Sequence, residues 1–273
     1  MVFFSNCKIN IGLYITGKRQ DGYHNLETIF FPVPVYDVLE LHAADQTDIT
    51  ILGQSIPGAK AENIILKAWQ LLKNDFPALP NVHFYLLKNI PTGAGLGAGS
   101  ANGAFALIAL NKKFQLNLNT EKLLAYALAL GSDCPFFILN QPCFASGRGE
   151  VLELVDIDLS AYKLVIVNPG VHVSTPWAFS QIQARIPAIQ LKQTISRPVA
   201  TWKECIKNDF EEAVIKAHPE LAALKQNLYQ QGADFAIMSG SGSTFFALFR
   251  KEVEINFSFP DHYFVKTVSL SLK

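Results

Sequence analysis

The residues best suited to chemistry form one run, Asn89-Ile90-Pro91-Thr92-Gly93-Ala94-Gly95-Leu96-Gly97-Ala98-Gly99-Ser100-Ala101-Asn102-Gly103, with glycine at every second position from Gly93 to Gly99. A β-like stretch, residues 82–87, precedes it, and a small-residue helical pattern, residues 101–110, follows. Glycine reaches φ > 0 and lets backbone come close to a ligand. The first turn of the following helix presents unpaired N–H groups and a partial positive charge. Together these make an anion site suited to phosphate, so the run is expected to hold the phosphates of a nucleotide. Close helix packing through small residues is the plainer alternative, but four alternating glycines exceed what packing needs.

Two other phosphate motifs are decoys. Gly12-x-x-x-x-Gly17-Lys18 matches seven positions of a P-loop, but the eighth is Arg19 where a hydroxyl should meet magnesium. Gly93-x-Gly95-x-x-Ala98 loosely fits a dinucleotide fingerprint, which wants an acid about 20 residues on; residues 111–114 offer lysines instead.

The elements that must position these groups follow from periodicity. Residues 8–15 alternate, with Ile9, Ile11, Leu13 and Ile15 on one face and Lys8, Asn10, Gly12 and Tyr14 on the other. Further strands are expected at residues 25–33, 35–42 and 48–52. Asn63 reads as the cap of a helix to residue 75, with Ile64, Ala68, Leu71 and Leu72 as its stripe. Asn119 or Thr120 caps another at residues 123–130, closed by Gly131. Ser146-Gly147-Arg148-Gly149 joins two short strands, and residues 163–167 form another. Thr175-Pro176 reads as a cap with proline at the first helical position. Residues 183–197 are expected to be a mobile loop. Helices are expected at residues 202–208, 211–217 and 219–231, and strands at 235–238, 245–249 and 265–270. Mixing without strict alternation predicts an α+β fold. The polar breaks at residues 155–162 place a boundary between lobes 1–157 and 158–273.

Composition narrows the class. The chain has 273 residues, 49% hydrophobic and 17% charged, with formal net charge +0. That supports a real core and gives nucleic-acid binding no electrostatic footing. The four cysteines are scattered without a C-x-x-C pair, which argues against a zinc site or a disulfide framework. Neither a signal peptide nor a membrane span is visible, so a cytoplasmic protein is expected.

Four separated motifs then point to a family. Pro91-x-x-x-Gly95-Leu96-x-x-Gly99-Ser100-Ala101 resembles the phosphate loop of the GHMP small-molecule kinases. Gly240-Ser241-Gly242-Ser243-Thr244-Phe245-Phe246-Ala247-Leu248 resembles their C-terminal glycine motif. Lys8-Ile9-Asn10-x-x-Leu13-Tyr14-Ile15-x-Gly17-x-Arg19-x-Asp21-Gly22-Tyr23-His24-x-Leu26 and Leu130-Gly131-Ser132-Asp133-Cys134-Pro135-Phe136-Phe137 resemble the branch acting on 4-diphosphocytidyl-2-C-methyl-D-erythritol.

The resemblance implies a two-lobed α+β fold, with an N-terminal lobe like ribosomal protein S5 domain 2 and a ferredoxin-like C-terminal lobe. It implies ATP-dependent phosphorylation of that substrate's 2-hydroxyl in non-mevalonate isoprenoid synthesis. ATP would lie along Pro91, Thr92, Gly93, Ala94, Gly95, Leu96, Gly97, Ala98, Gly99, Ser100 and Ala101. Asp133 matches the catalytic base and Lys8 the catalytic lysine. Tyr23 and His24 match the cytidine grip, with Phe179 as second aromatic and Thr175 nearby; Asn10, Gly240, Ser241 and Gly242 complete the substrate side. Ala101 stands where relatives often have a second serine, so Ser100 is the hydroxyl left for Mg2+. Ala94 and Ala98 replace glycines and call for ordinary φ < 0 geometry or mild strain at those positions. The partner is a small molecule with a cytidine diphosphate group, without nucleic acid or membrane; monomer and homodimer both stay open. The alternatives are another kinase of the superfamily, acting on mevalonate, homoserine or a sugar, and a non-catalytic RNA-binding module.

Overall fold

The computed structural model describes residues 1–270; residues 271–273, the end of the expected second lobe, lie outside them. Two long strands open the chain, β1 (Val2–Lys18) and β2 (His24–Ala43). The two strands expected at residues 25–33 and 35–42 are thus one. Its Pro32 and Pro34 fall between two ladders: residues 28–30 pair with one neighbour and 38–43 with another. Proline has no N–H to give, and this stretch needs none for either ladder.

The chain divides into two compact units, interleaved in sequence. The first comprises Met1–Cys7, Val35–Thr92 and Gly97–Gln141; the second comprises Lys8–Pro34, Gly93–Leu96 and the chain from Pro142.

In the first unit, β3 (Asp48–Gly53) runs parallel to β4 (Val82–Lys88), which pairs antiparallel with β2 in the order β3-β4-β2. Helix α1 (Ile64–Asp75) is capped by Asn63, whose side chain accepts from the Ile65 N–H at 2.9 Å. Helix α2 (Ala98–Phe114) follows the glycine run, and α3 (Thr120–Leu130) is capped by Asn119 rather than Thr120. Helix α4 (Cys134–Leu139) closes the unit. The four helices pack on one another, and Ile65, Ala68, Leu72, Leu107, Phe136 and Phe137 on them are buried. Gly103 serves this packing: a Cβ there would meet Ile64 Cγ1 at 2.7 Å.

In the second unit, β5 (Cys143–Ser146) and β6 (Val151–Leu154) extend from β2. Then come β7 (Tyr162–Asn168), α5 (Thr175–Ser180), α6 (Leu191–Thr194), α7 (Trp202–Cys205), α8 (Asp209–Ala217), α9 (Glu220–Gln230), β8 (Phe235–Met238), β9 (Phe245–Arg250) and β10 (Phe264–Ser269). The last four-stranded sheet is antiparallel, ordered β10-β7-β9-β8. Val165, Val167, Phe245, Ala247 and Phe249 of its strands share a core with Phe210, Val214, Leu221, Leu224 and Leu228 of α8 and α9. Residues 183–197, expected as loop, contain α6, anchored by buried Leu191, Thr194 and Ile195. The cap of α5 is Ser174, which accepts from the Trp177 N–H, and Thr175 is the first helical residue. No helix among the described residues is long and apolar enough to cross a membrane.

Candidate active site

In the second unit, the middle of the glycine run meets the second glycine turn. Gly93 and Gly95 have φ of 68° and 78°. A Cβ on Gly95 would stand 2.0 Å from the Ser239 carbonyl oxygen, so no larger residue fits there. The Ser239 hydroxyl donates to the Gly95 carbonyl at 2.8 Å and accepts from the Asn10 N–H at 3.1 Å. The Asn208 side chain donates to the carbonyls of Met238 and Gly240, holding the second turn from below. Thr175 Oγ1 lies 2.9 Å from Ser241 Oγ. Ala94 and Ala98 avoid positive φ, so of the two expected geometries they take the ordinary one.

Lys8 and Asn10 lie beside this turn on β1, and both are buried. The polar face of the strand is therefore enclosed and bonded. The Lys8 ammonium donates to Asn10 Oδ1 at 2.5 Å and sits 4.7 Å from the Phe30 ring centroid. The Asn10 Nδ2 donates to Thr28 Oγ1 at 2.9 Å, and Thr28 donates to the Gly12 carbonyl at 2.5 Å. Thr28 thereby fixes which end of the Asn10 amide faces the ammonium.

The aromatic residues also gather in this unit. His24 stacks on Phe179, with centroids 4.9 Å apart and planes 21° apart, and Phe179 meets Phe210 edge-on. Tyr23 is 55% exposed, and its ring lies 4.9 Å from the Arg148 guanidinium carbon. The ring stacked on Phe179 is thus His24, while Tyr23 pairs with Arg148.

In the first unit, the end of the glycine run opens α2. Gly97 caps it at φ 67°, a left-handed conformation that disfavours other residues. A cavity of about 350 Å³ is lined by Thr92, Gly99 and Ser100 from the run, by Lys60 and Asn63, and by Lys88. Ser100 is also hydrogen-bonded to the Cys134 thiol, whose pKa is pushed up to about 12, first by burial and also by the charge of Asp133. Asp133 stands at the start of α4, and its side chain does not cap that helix. Its carboxylate therefore belongs to the same neighbourhood as the start of α2. Behind the cavity, Lys88 and Asp37 form an ion pair at 2.5 Å with both side chains fully enclosed. Among the described residues, no group of three or more His, Cys, Asp or Glu side chains is placed to hold a metal.

Comparison with known proteins decides the family. The model of the GHMP kinases N terminal domain matches residues 63–147, and that of the GHMP kinases C terminal domain matches 191–257. The 4-diphosphocytidyl-2-C-methyl-D-erythritol kinase of Bacteroides fragilis strain YCH46 is 51% identical over 259 residues, covering 93% of this chain and 94% of that protein. The chain belongs to the 4-diphosphocytidyl-2-C-methyl-D-erythritol kinase family of GHMP kinases. The Azobacteroides pseudotrichonymphae protein of the same name is 43% identical, covering 97% of this chain and all of its own length. A crystal structure of 4-(cytidine 5'-diphospho)-2C-methyl-D-erythritol kinase superposes with a TM-score of 0.74 at 29% identity, covering 91% of this chain and 90% of that one. The mevalonate kinase of Methanococcus jannaschii shares the fold alone, at 11% identity and a TM-score of 0.67 over 93% of this chain and 92% of its own. The α+β fold expected from the sequence is thus the GHMP kinase fold, and its chemistry is ATP-dependent phosphoryl transfer to a small molecule.

Sequence reading passed over Thr28, Ser239, Asp37 and Lys88. A signal for the last two was present. Lys88 continues the inward row Val82, Phe84, Leu86 of β4, and Asp37 sits in the inward row Val35, Leu39, Leu41 of β2. A charge on each apolar row asks for an opposite charge facing it.

Proposed function

We propose that the chain transfers the γ-phosphate of ATP to the 2-hydroxyl of 4-diphosphocytidyl-2-C-methyl-D-erythritol. The observation that carries the substrate side is the His24–Phe179 stack, joining residues far apart in sequence. An aromatic pair of this kind suits a nucleobase, which mevalonate, homoserine and sugars lack. Tyr23 is the exposed ring available to stack on the cytosine, and the His24 ring nitrogens can bond its edge. Thr175, Ser241 and the backbone of Gly240 and Gly242 supply polar contacts to the rest of the substrate.

In this reading ATP lies along residues 91–101, with its nucleoside toward the 350 Å³ cavity and its phosphates at the N–H groups opening α2. Asp133 accepts the proton of the attacking hydroxyl. Lys8, oriented by Asn10, offsets the charge that spreads over the transferring phosphoryl group. Magnesium would be held largely by the phosphates and water, with Ser100 as the protein residue that would meet it; a small ion that keeps much of its water needs few protein ligands. Bound there, it would offset negative charge on the phosphates. The division at residue 157 is proposed as the lobe boundary and falls between the two matched family segments.

The test is a phosphoryl-transfer assay with ATP and magnesium, offering the cytidyl substrate, mevalonate and homoserine in parallel. Turnover of the cytidyl substrate is expected. Turnover of mevalonate or homoserine alone would overturn the substrate assignment, and salt-dependent RNA binding without ATP turnover would overturn the enzyme.

A further inference from the structure

Asp37 takes no part in the chemistry above, yet its carboxylate accepts four hydrogen bonds. Its Oδ1 accepts the backbone N–H groups of Asn89 and Ile90 at 2.8 and 2.9 Å. Its Oδ2 accepts the Lys88 ammonium at 2.5 Å and the Asn102 side-chain amide at 3.0 Å. Lys88 also donates to the Ile90 carbonyl at 2.6 Å, and Asn102 to the Ser5 hydroxyl at 2.7 Å. Residues 88–90 lead into the glycine run, and Asn102 lies just past its end, inside α2. Lys88 and Asn102 line the same cavity as Thr92, Gly99 and Ser100. One carboxylate therefore holds both ends of the run.

Stability alone is a weak reason for such a group. Taking two charges out of water often costs more than their attraction returns, and an apolar pair of similar volume commonly serves stability as well. An ion pair does what an apolar pair does not: it fixes direction, because each oxygen accepts along defined lines.

We propose that Asp37 is a positioning residue for phosphoryl transfer, which through Lys88, the Asn89 and Ile90 amides and Asn102 sets the spacing of the two ends of the nucleotide loop. This rests on the reading of residues 91–101 as the ATP site. A loop with loosened ends presents its N–H groups out of line, and the loss falls on ATP rather than on the acceptor.

The test compares D37L/K88M, N102A and G97V with the parent, measuring Tm and the KM for ATP and for the cytidyl substrate. D37L/K88M removes both charges together, so neither is left buried and unpaired. It leaves the Asn89, Ile90 and Asn102 donors without their acceptor, so a lower Tm is expected; the deciding readout is KM for ATP, raised about tenfold or more with KM for the acceptor unchanged. A merely structural role would lower Tm and leave the ratio of the two KM values where it was. Should D37L/K88M fail to fold, N102A decides: a raised KM for ATP at near-parental Tm supports the proposal, and a parental value overturns it. G97V separates the two readings. If it raises KM for ATP while the Asp37 and Asn102 variants do not, the positioning role alone falls; if it does not, the loop itself is not the ATP site.

Discussion

The Ser239 hydroxyl donates to the Gly95 carbonyl at 2.8 Å, fastening together two glycine turns that lie 144 positions apart. The backbones are so close that a Gly95 side chain would overlap the Ser239 carbonyl. Gly95→Ala is therefore expected to push the two turns apart. Displacements of about 1 Å can cost roughly 100-fold in rate, and a fall of that order in kcat/KM is expected from steady-state kinetics. Full activity in Gly95→Ala would mean that the contact has no catalytic consequence.

Thr28 orients Asn10, and Asn10 meets the Lys8 ammonium. In Thr28→Val the Asn10 Nδ2 loses its acceptor inside the core, at a cost of about 1–3 kcal/mol. Freed to rotate, the amide would turn a donor toward the ammonium. A drop in kcat with ATP affinity retained is expected, and Thr28→Ser, which keeps both bonds, should restore it. Equal losses in the two variants would assign the effect to packing alone.

Phe179 is held edge-on by Phe210 and carries His24 on its face. Phe179→Ala and Tyr23→Ala are each expected to raise KM for the cytidyl substrate by an amount equivalent to about 1–3 kcal/mol of stacking. KM for ATP should stay put. The same shift in both KM values would place these rings outside the acceptor site.

Asp133→Asn keeps shape and removes the proton acceptor. Turnover should fall by about 10²–10⁴, while ATP affinity measured by calorimetry stays near the parent's. Near-normal turnover would remove Asp133 as the base.

The Cys134 thiol gives a pH-dependent readout. Burial is the main cause that pushes its pKa up to about 12 from an ordinary value of 9.0. Between those values the unfolded chain has lost a proton that the folded chain keeps, so the folded state is progressively disfavoured as pH rises above the ordinary value. Below it this contribution is fully present. At about pH 8 the native thiol stays protonated and should resist iodoacetamide, which reacts with thiolates. Mass spectrometry should show modification of Cys134 only after denaturant is added. Fast native labelling of Cys134 would contradict its enclosure.

Much of this was legible because it is local. The cap at Asn63, the alternation around Lys8 and the turn at Ser146–Gly149 are decided within a few residues. The separation of residues 25–33 from 35–42 fails because a strand that exchanges one neighbour midway can accommodate a proline there, and sequence does not say where that exchange occurs. Thr175 was read as a cap because Thr-Pro has the right form; Ser174 takes the Trp177 N–H instead. Thr28 and Ser239 left no trace, since a single buried hydroxyl changes no periodicity. Their roles exist only once distant segments meet.

The interleaving of the two units has a consequence for inheritance. The chain passes from one unit to the other at five places, beginning between Cys7 and Lys8 and ending between Gln141 and Pro142. No single genetic crossover can therefore deliver both units whole from different parents. Chimeras made by one-point exchange between relatives will inherit mismatched parts of at least one unit.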